Sequence, residues 1–234
     1  MAEDTDIVQA SIVLVGKFNP AIFSPAWFAK NGIITEGELK VADTQVVHKQ
    51  VTRFTADHLT ISAQPERFTL ETTSEPIIRV ADMVLQTFRD LLSHTPINAV
   101  GINYTEHWRT DTAERRTALA RELAPIAPWG AWGASFRAHD VDHVDGMNEL
   151  VMIQFDAENL KWQRRVEVGP SNEMGDHARG VYVTVNSHRE MEIEDGVGAE
   201  PIMALLEKEF DPSVLAARKI IADLKSFSQK LELS

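Results

Sequence analysis

The chain has 234 residues, of which 44% are hydrophobic, and its 23 Lys+Arg against 35 Asp+Glu leave a formal net charge of -12. That apolar content excludes a disordered chain, and the length suits one large domain or two small ones at ~100–200 residues per domain. The acidic balance argues against general nucleic-acid binding and against an anionic membrane surface, and the absence of cysteine excludes disulfides, thiolate nucleophiles, Cys-type zinc sites and Fe–S clusters.

The opening residues, Met-Ala-Glu-Asp-Thr-Asp, have no basic region of the kind that begins a signal peptide. No apolar stretch approaches the ~18 residues of a membrane span, so a cytoplasmic protein is expected. Residues 7–18 are β-branched and apolar and predict a buried strand. Ser24-Pro25 predicts a short helix over 25–31. Strands are predicted near 45–55, 58–64 and 66–73, where Leu59, Ile61 and Ala63 alternate with polar neighbours, as do Phe68 and Leu70. Over 76–94, Ile77, Ala81, Val84, Leu85, Phe88, Leu91 and Leu92 fall on one helical stripe.

The pattern then begins again. Residues 97–108 predict a strand, and Asp111 with Glu114 resembles a capping box for a helix to about residue 124. Strands are predicted near 132–143, 149–156, 159–168 and 179–187, followed by an acidic loop over 189–200. Asp211-Pro212 reads as the start of a last helix carrying Leu215, Ile220, Leu224, Phe227 and Leu231. The expected fold is therefore α+β: pseudo-duplicated β-α-β-β-β-α halves, 1–96 and 97–234, the second with an extra strand and the acidic loop. Each antiparallel sheet, or one continuous sheet, would be covered by a long helix.

This twice-repeated order resembles the pseudo-twofold arrangement of the TATA-box-binding-protein-like (helix-grip) folds. The basic concave surface of the DNA-binding members is absent, so the resemblance does not imply DNA binding. The run from Phe54 to Ser62, the helix over 77–92, and the run from Pro96 to Tyr104 resemble a sporadically distributed family of uncharacterised bacterial proteins. Its "GLRYIN"-type strand here reads Gly101-Ile-Asn-Tyr104, without the arginine. The resemblance covers about the middle quarter of the chain and brings no catalytic residues. It implies a bacterial or phage setting of the mobile or defence-associated kind.

His139, Asp140, Asp142 and His143 are residue types that ligate divalent metals. On a strand, however, the histidines and aspartates would point to opposite faces. They read either as a metal site or as an exposed strand end before the Asp145-Gly146 turn. His107 and His188 each follow a strand pattern, where a proton-transfer role has no nucleophile or base fixed beside it. Nucleotide and hydrolase signatures (Gly-x-Ser-x-Gly, Gly-x4-Gly-Lys, Gly-x-Gly-x-x-Gly) are absent.

Trp129 and Trp132, flanked by glycines, read as a partner-contact platform or as a packed corner. Glu190, Glu192, Glu194 and Asp195 form an acidic run, either a solvated loop or a contact for a basic partner. Lys161, Arg164 and Arg165, and Arg115, Arg116 and Arg121, are the basic clusters that would complement it in self-association. The preferred expectation is a non-enzymatic interaction or accessory subunit that binds a protein partner and needs no cofactor. The alternatives are a metal-dependent or acid–base enzyme built on 139–143, and a small-ligand binder with its pocket between sheet and helix.

Overall fold

The computed structural model describes residues 6–137, 145–175, 178–192 and 197–232. The strands among them are β1 (Ile7–Gly16), β2 (Asp43–His48), β3 (Val51–Ala56), β4 (Leu59–Gln64), β5 (Arg67–Thr72), β6 (Ile97–Arg109), β7 (Leu150–Phe155), β8 (Trp162–Pro170) and β9 (Gly180–Glu190). They form one antiparallel sheet in the order β2-β3-β4-β5-β1-β6-β9-β8-β7. The α-helices are α1 (Pro25–Lys30), α2 (Glu36–Lys40), α3 (Arg79–Leu85), α4 (Ala113–Leu123), α5 (Gly130–Ala134) and α6 (Glu200–Lys230).

The α+β class is as the sequence implied, and the sheet is continuous: β1 and β6 pair at its centre from Ile7↔His107 to Val15↔Ala99. Alternation assigns the two faces. Ala10, Ile12 and Leu14 of β1, Leu59 and Ile61 of β4, Phe68 and Leu70 of β5, Ile102 of β6 and Val183 and Val185 of β9 are buried beneath the helical layer. The opposite face is open and polar. It satisfies itself across strands: Asn186 donates to Asn103 at 2.6 Å, Asn103 donates to Ser11 at 3.1 Å, and the Thr105 and Thr184 hydroxyls meet at 2.9 Å.

Several predicted elements are corrected. The single strand expected near 45–55 is a hairpin, β2 and β3, turning at residues 49–50. The helix expected over 76–94 starts at Arg79 and passes at Gln86 into a wider π-turn running to Leu91, which seats Phe88 against Phe18, Phe23 and Phe68. Of the strand expected near 132–143, residues 132–134 are helical, in α5, and 138–143 lie outside the described residues. The cap of α4 is Thr112, whose hydroxyl accepts from Arg115 N–H, and not Asp111. The last helix does not start at Asp211-Pro212; it begins at Glu200 and carries Pro212 inside it. An interior proline costs about 3 kcal/mol. Upstream of it, Ile202, Met203, Leu206 and Phe210 are buried, each contributing roughly 1.5–3 kcal/mol, so burial outweighs the lost hydrogen bond.

A network of ions seals α6 onto β6. Lys225 Nζ lies 2.6 Å from Glu106 and 2.7 Å from Asp6, over the Trp108 ring at 5.1 Å. Burial alone would lower the pKa of Lys225, but the two carboxylates outweigh it and hold it above its ordinary value. Tyr104 donates to Glu106 at 2.8 Å and accepts from Arg218 at 3.1 Å; burial and then Glu106, against Arg218, push its hydroxyl up to about 12.

Candidate functional site

The two flanks of the sheet differ in how they are covered. Under β3 and β4, the segment after β1 folds back. Phe23, Phe28, Ile33 and Ile34 are buried there, Phe28 packs on Phe54 at 5.7 Å between ring centroids, and Thr52 donates to the Pro20 carbonyl at 2.7 Å. Beneath β7 and β8 the corresponding layer stops short. Leu123 of α4, Leu150 and Met152 of β7, Val166 and Val168 of β8, and Ile220 and Leu224 of α6 line an apolar cavity of about 300 Å³.

β7 is the edge of the sheet on this side. Met152 is 65% exposed, Ile153 50% and Phe155 56%. Its outer N–H and C=O groups have no strand beside them among the described residues. Such an edge is a template for another strand. The apolar run Val151-Met152-Ile153 does not alternate, so both faces of the strand are apolar. Glu149 and Asp156 bracket it.

On the inner face of the same flank, the side-chain atoms Trp162 Nε1, Arg164 Nε and Ser187 Oγ are buried without a hydrogen-bond partner. Arg164 lies opposite Ser187 on β9 and opposite Gln154 on β7. A buried donor left unpaired costs about 1–3 kcal/mol, so three on one patch call for a reason. Arg164 and Gln154 form a wall common to the apolar cavity and to a second, polar cavity of about 270 Å³, lined also by Asp156, Trp162 and Arg189. Arg189 is not available there. It sits over Trp162 at 5.0 Å and pairs with Glu209 at 3.1 Å, both side chains largely buried.

The basic clusters of the sequence are mostly paired within the chain. Lys161 pairs with Glu192 at 2.6 Å, and Arg165 with Glu167 at 2.5 Å and Glu149 at 3.6 Å. On α4, Arg115 is not on an exposed side: it donates to the Ser228 and Gln229 carbonyls at 2.7 and 2.9 Å and closes the C-terminal end of α6. Arg116 donates to the Ala178 carbonyl. Arg164 alone of Lys161, Arg164 and Arg165 has no hydrogen-bond or ion-pair partner among the described residues.

Trp129 and Trp132 are each 61% exposed, which corrects the packed-corner alternative. They form an aromatic cluster with Phe136: ring centroids are 5.3 Å apart for the tryptophans and 4.6 Å for Trp132 and Phe136. Gly133 is buried against the Ile126 carbonyl, where a Cβ has no room, and that contact folds the cluster.

His139, Asp140, Asp142 and His143 lie outside the described residues, as do Glu194 and Asp195. Among the described residues no three His, Asp or Glu side chains are grouped to hold a metal. Glu190 ends β9 beside His188 at 3.9 Å. His107 is buried with Nδ1 2.7 Å from the Ser171 hydroxyl, which also accepts from Glu173 N–H. The Ser171 hydroxyl can therefore donate to a neutral His107 while it accepts from Glu173 N–H, the direction at His107 following its tautomer. Burial lowers the histidine's pKa, only partly offset by Glu173. Ser171 is 1% exposed, so the pair is a structural clasp and offers no reachable nucleophile.

Compared with models of known protein families and with curated proteins, the sequence matches none. No helix among the described residues is long and apolar enough to cross a membrane.

Proposed function

We propose that the chain is a non-enzymatic accessory subunit that receives an extended segment of a protein partner along β7. The observation that carries this reading is the uncovered apolar edge of the sheet, Val151 to Phe155. Backbone pairing supplies affinity in this mode, and alternate side chains supply specificity. The net charge of -12 and the acids Glu149 and Asp156 at the strand ends favour a segment flanked by basic residues. The order of strands outward from the β1–β6 pair, β5-β4-β3-β2 on one side and β9-β8-β7 on the other, supports two related halves, 1–96 and 97–234, of helix-grip type, although among the described residues the extra strand, β2, belongs to the first half and not to the second. The resemblance of residues 54–104 to the sporadic bacterial family supports a bacterial or phage setting.

The test is site-specific photocrosslinking in the native host, with benzoylphenylalanine at Ile153 on this flank or at Thr60 on the opposite one. A basic protein crosslinked from 153 and not from 60, and lost when Val151→Lys is added, is the expected result. No adduct, equal adducts at both positions, or an adduct of two copies of this chain would overturn the proposal.

A further inference from the structure

We infer that the cavity beneath β7 and β8 is a binding site for a small amphipathic monoanion, an aliphatic carboxylic acid. Its chain lies among Leu123, Met152, Val166, Ile220 and Leu224, and its carboxylate accepts from Arg164 and Trp162. The inference is separate from docking on the outer edge of β7, because it uses the inner face of the hairpin.

Three observations converge. First, the groove is apolar along its length, and at about 300 Å³ it reaches the lower end, roughly 300 Å³, of ligand cavities. That is too small for a partner helix, which is about 10 Å across. Second, the apolar groove ends on a cation. Arg164 has no partner among the described residues, and Trp162 Nε1 and Ser187 Oγ beside it are buried and unpaired. A charged, forked donor where an apolar slot meets a polar cavity recognises a carboxylate in-plane. Third, the charge count selects a monoanion. Arg189, the other cation on the polar cavity, is neutralised by Glu209, and Asp156 lines the same cavity. A phosphate dianion would meet one free cation and one carboxylate; a carboxylate needs only Arg164.

The test uses the full chain with octanoate, octan-1-ol and octylammonium, followed by calorimetry and tryptophan fluorescence. Octanoate is expected to bind saturably at one site and to raise the melting temperature. Octan-1-ol and octylammonium should bind about 10–100-fold more weakly, the range a charge-assisted hydrogen bond commands. Arg164→Met should weaken octanoate to the level of octan-1-ol while melting no lower than the wild type without ligand, since it removes a half-buried cation that has no partner among the described residues. Leu224→Trp, which fills the groove and leaves Arg164 in place, should abolish binding of all three probes. The inference is overturned by no saturable octanoate binding, by equal affinity for octanoate and octan-1-ol, or by unchanged binding to Arg164→Met. A lower melting temperature for Arg164→Met with octanoate affinity intact would make Arg164 a structural residue and would also overturn it. Ile153 borders the cavity, but these measurements use the chain unsubstituted at 153 and without a protein partner, so their failure is distinguishable from a failure of crosslinking.

Discussion

Lys225→Met tests whether the ion network holds α6 on the sheet. The substitution keeps most of the aliphatic stem over Trp108 and removes the charge between Glu106 and Asp6. Asp6, at 44% exposed, is resolvated readily, whereas Glu106, at 13%, is not. Breaking a fully buried pair costs about 3–5 kcal/mol. Here Lys225 is 23% exposed and Glu106 keeps its bond from Tyr104, so the loss belongs below that range, at about 2 kcal/mol. For a chain of this size that lowers the melting temperature by about 4–8 °C. Urea unfolding followed by tryptophan fluorescence measures it. Adding Glu106→Gln removes the stranded carboxylate and should restore about half of the loss. A single variant within about 0.5 kcal/mol of wild type, the usual range for a surface site, would refute the reasoning. So would a double variant no more stable than the single.

His107→Gln should flatten the dependence of stability on pH. Burial depresses the histidine's pKa below its ordinary 6.5 in the folded chain, so as pH falls through 6.5 the unfolded chain takes up the proton first. Wild-type stability therefore drops until the folded pKa is passed. Melting temperatures from pH 7.5 to 5 should fall more steeply for the wild type than for His107→Gln, and parallel curves would contradict the assignment. Phe28→Ala, at a fully buried ring on the covered flank, should cost about 3–5 kcal/mol. Trp132→Ala, at an exposed ring, should stay within about 1 kcal/mol; equal losses in denaturant melts would show that the aromatic cluster belongs to the core.

The sequence by itself determined what local periodicity controls. Alternation at Leu59-Ile61-Ala63 and Phe68-Leu70 names the buried face of β4 and β5, and the stripe from Ala81 to Phe88 names a helix, because each face has one dominant environment. Where long-range burial overrides a local signal, the reading failed: Asp211-Pro212 looks like a helix start, yet the apolar residues before it are held by the sheet. The basic run Lys161, Arg164, Arg165 looks uniform in sequence, and only strand register separates the two that find acids from the one that finds none. The signal for the edge was present in the non-alternating Val151-Met152-Ile153. That β7 is last in the sheet, and that the layer beneath it stops short, depends on contacts between segments far apart in the chain. Only the tertiary structure decides those, because strand order and helical cover are set by which distant apolar faces meet.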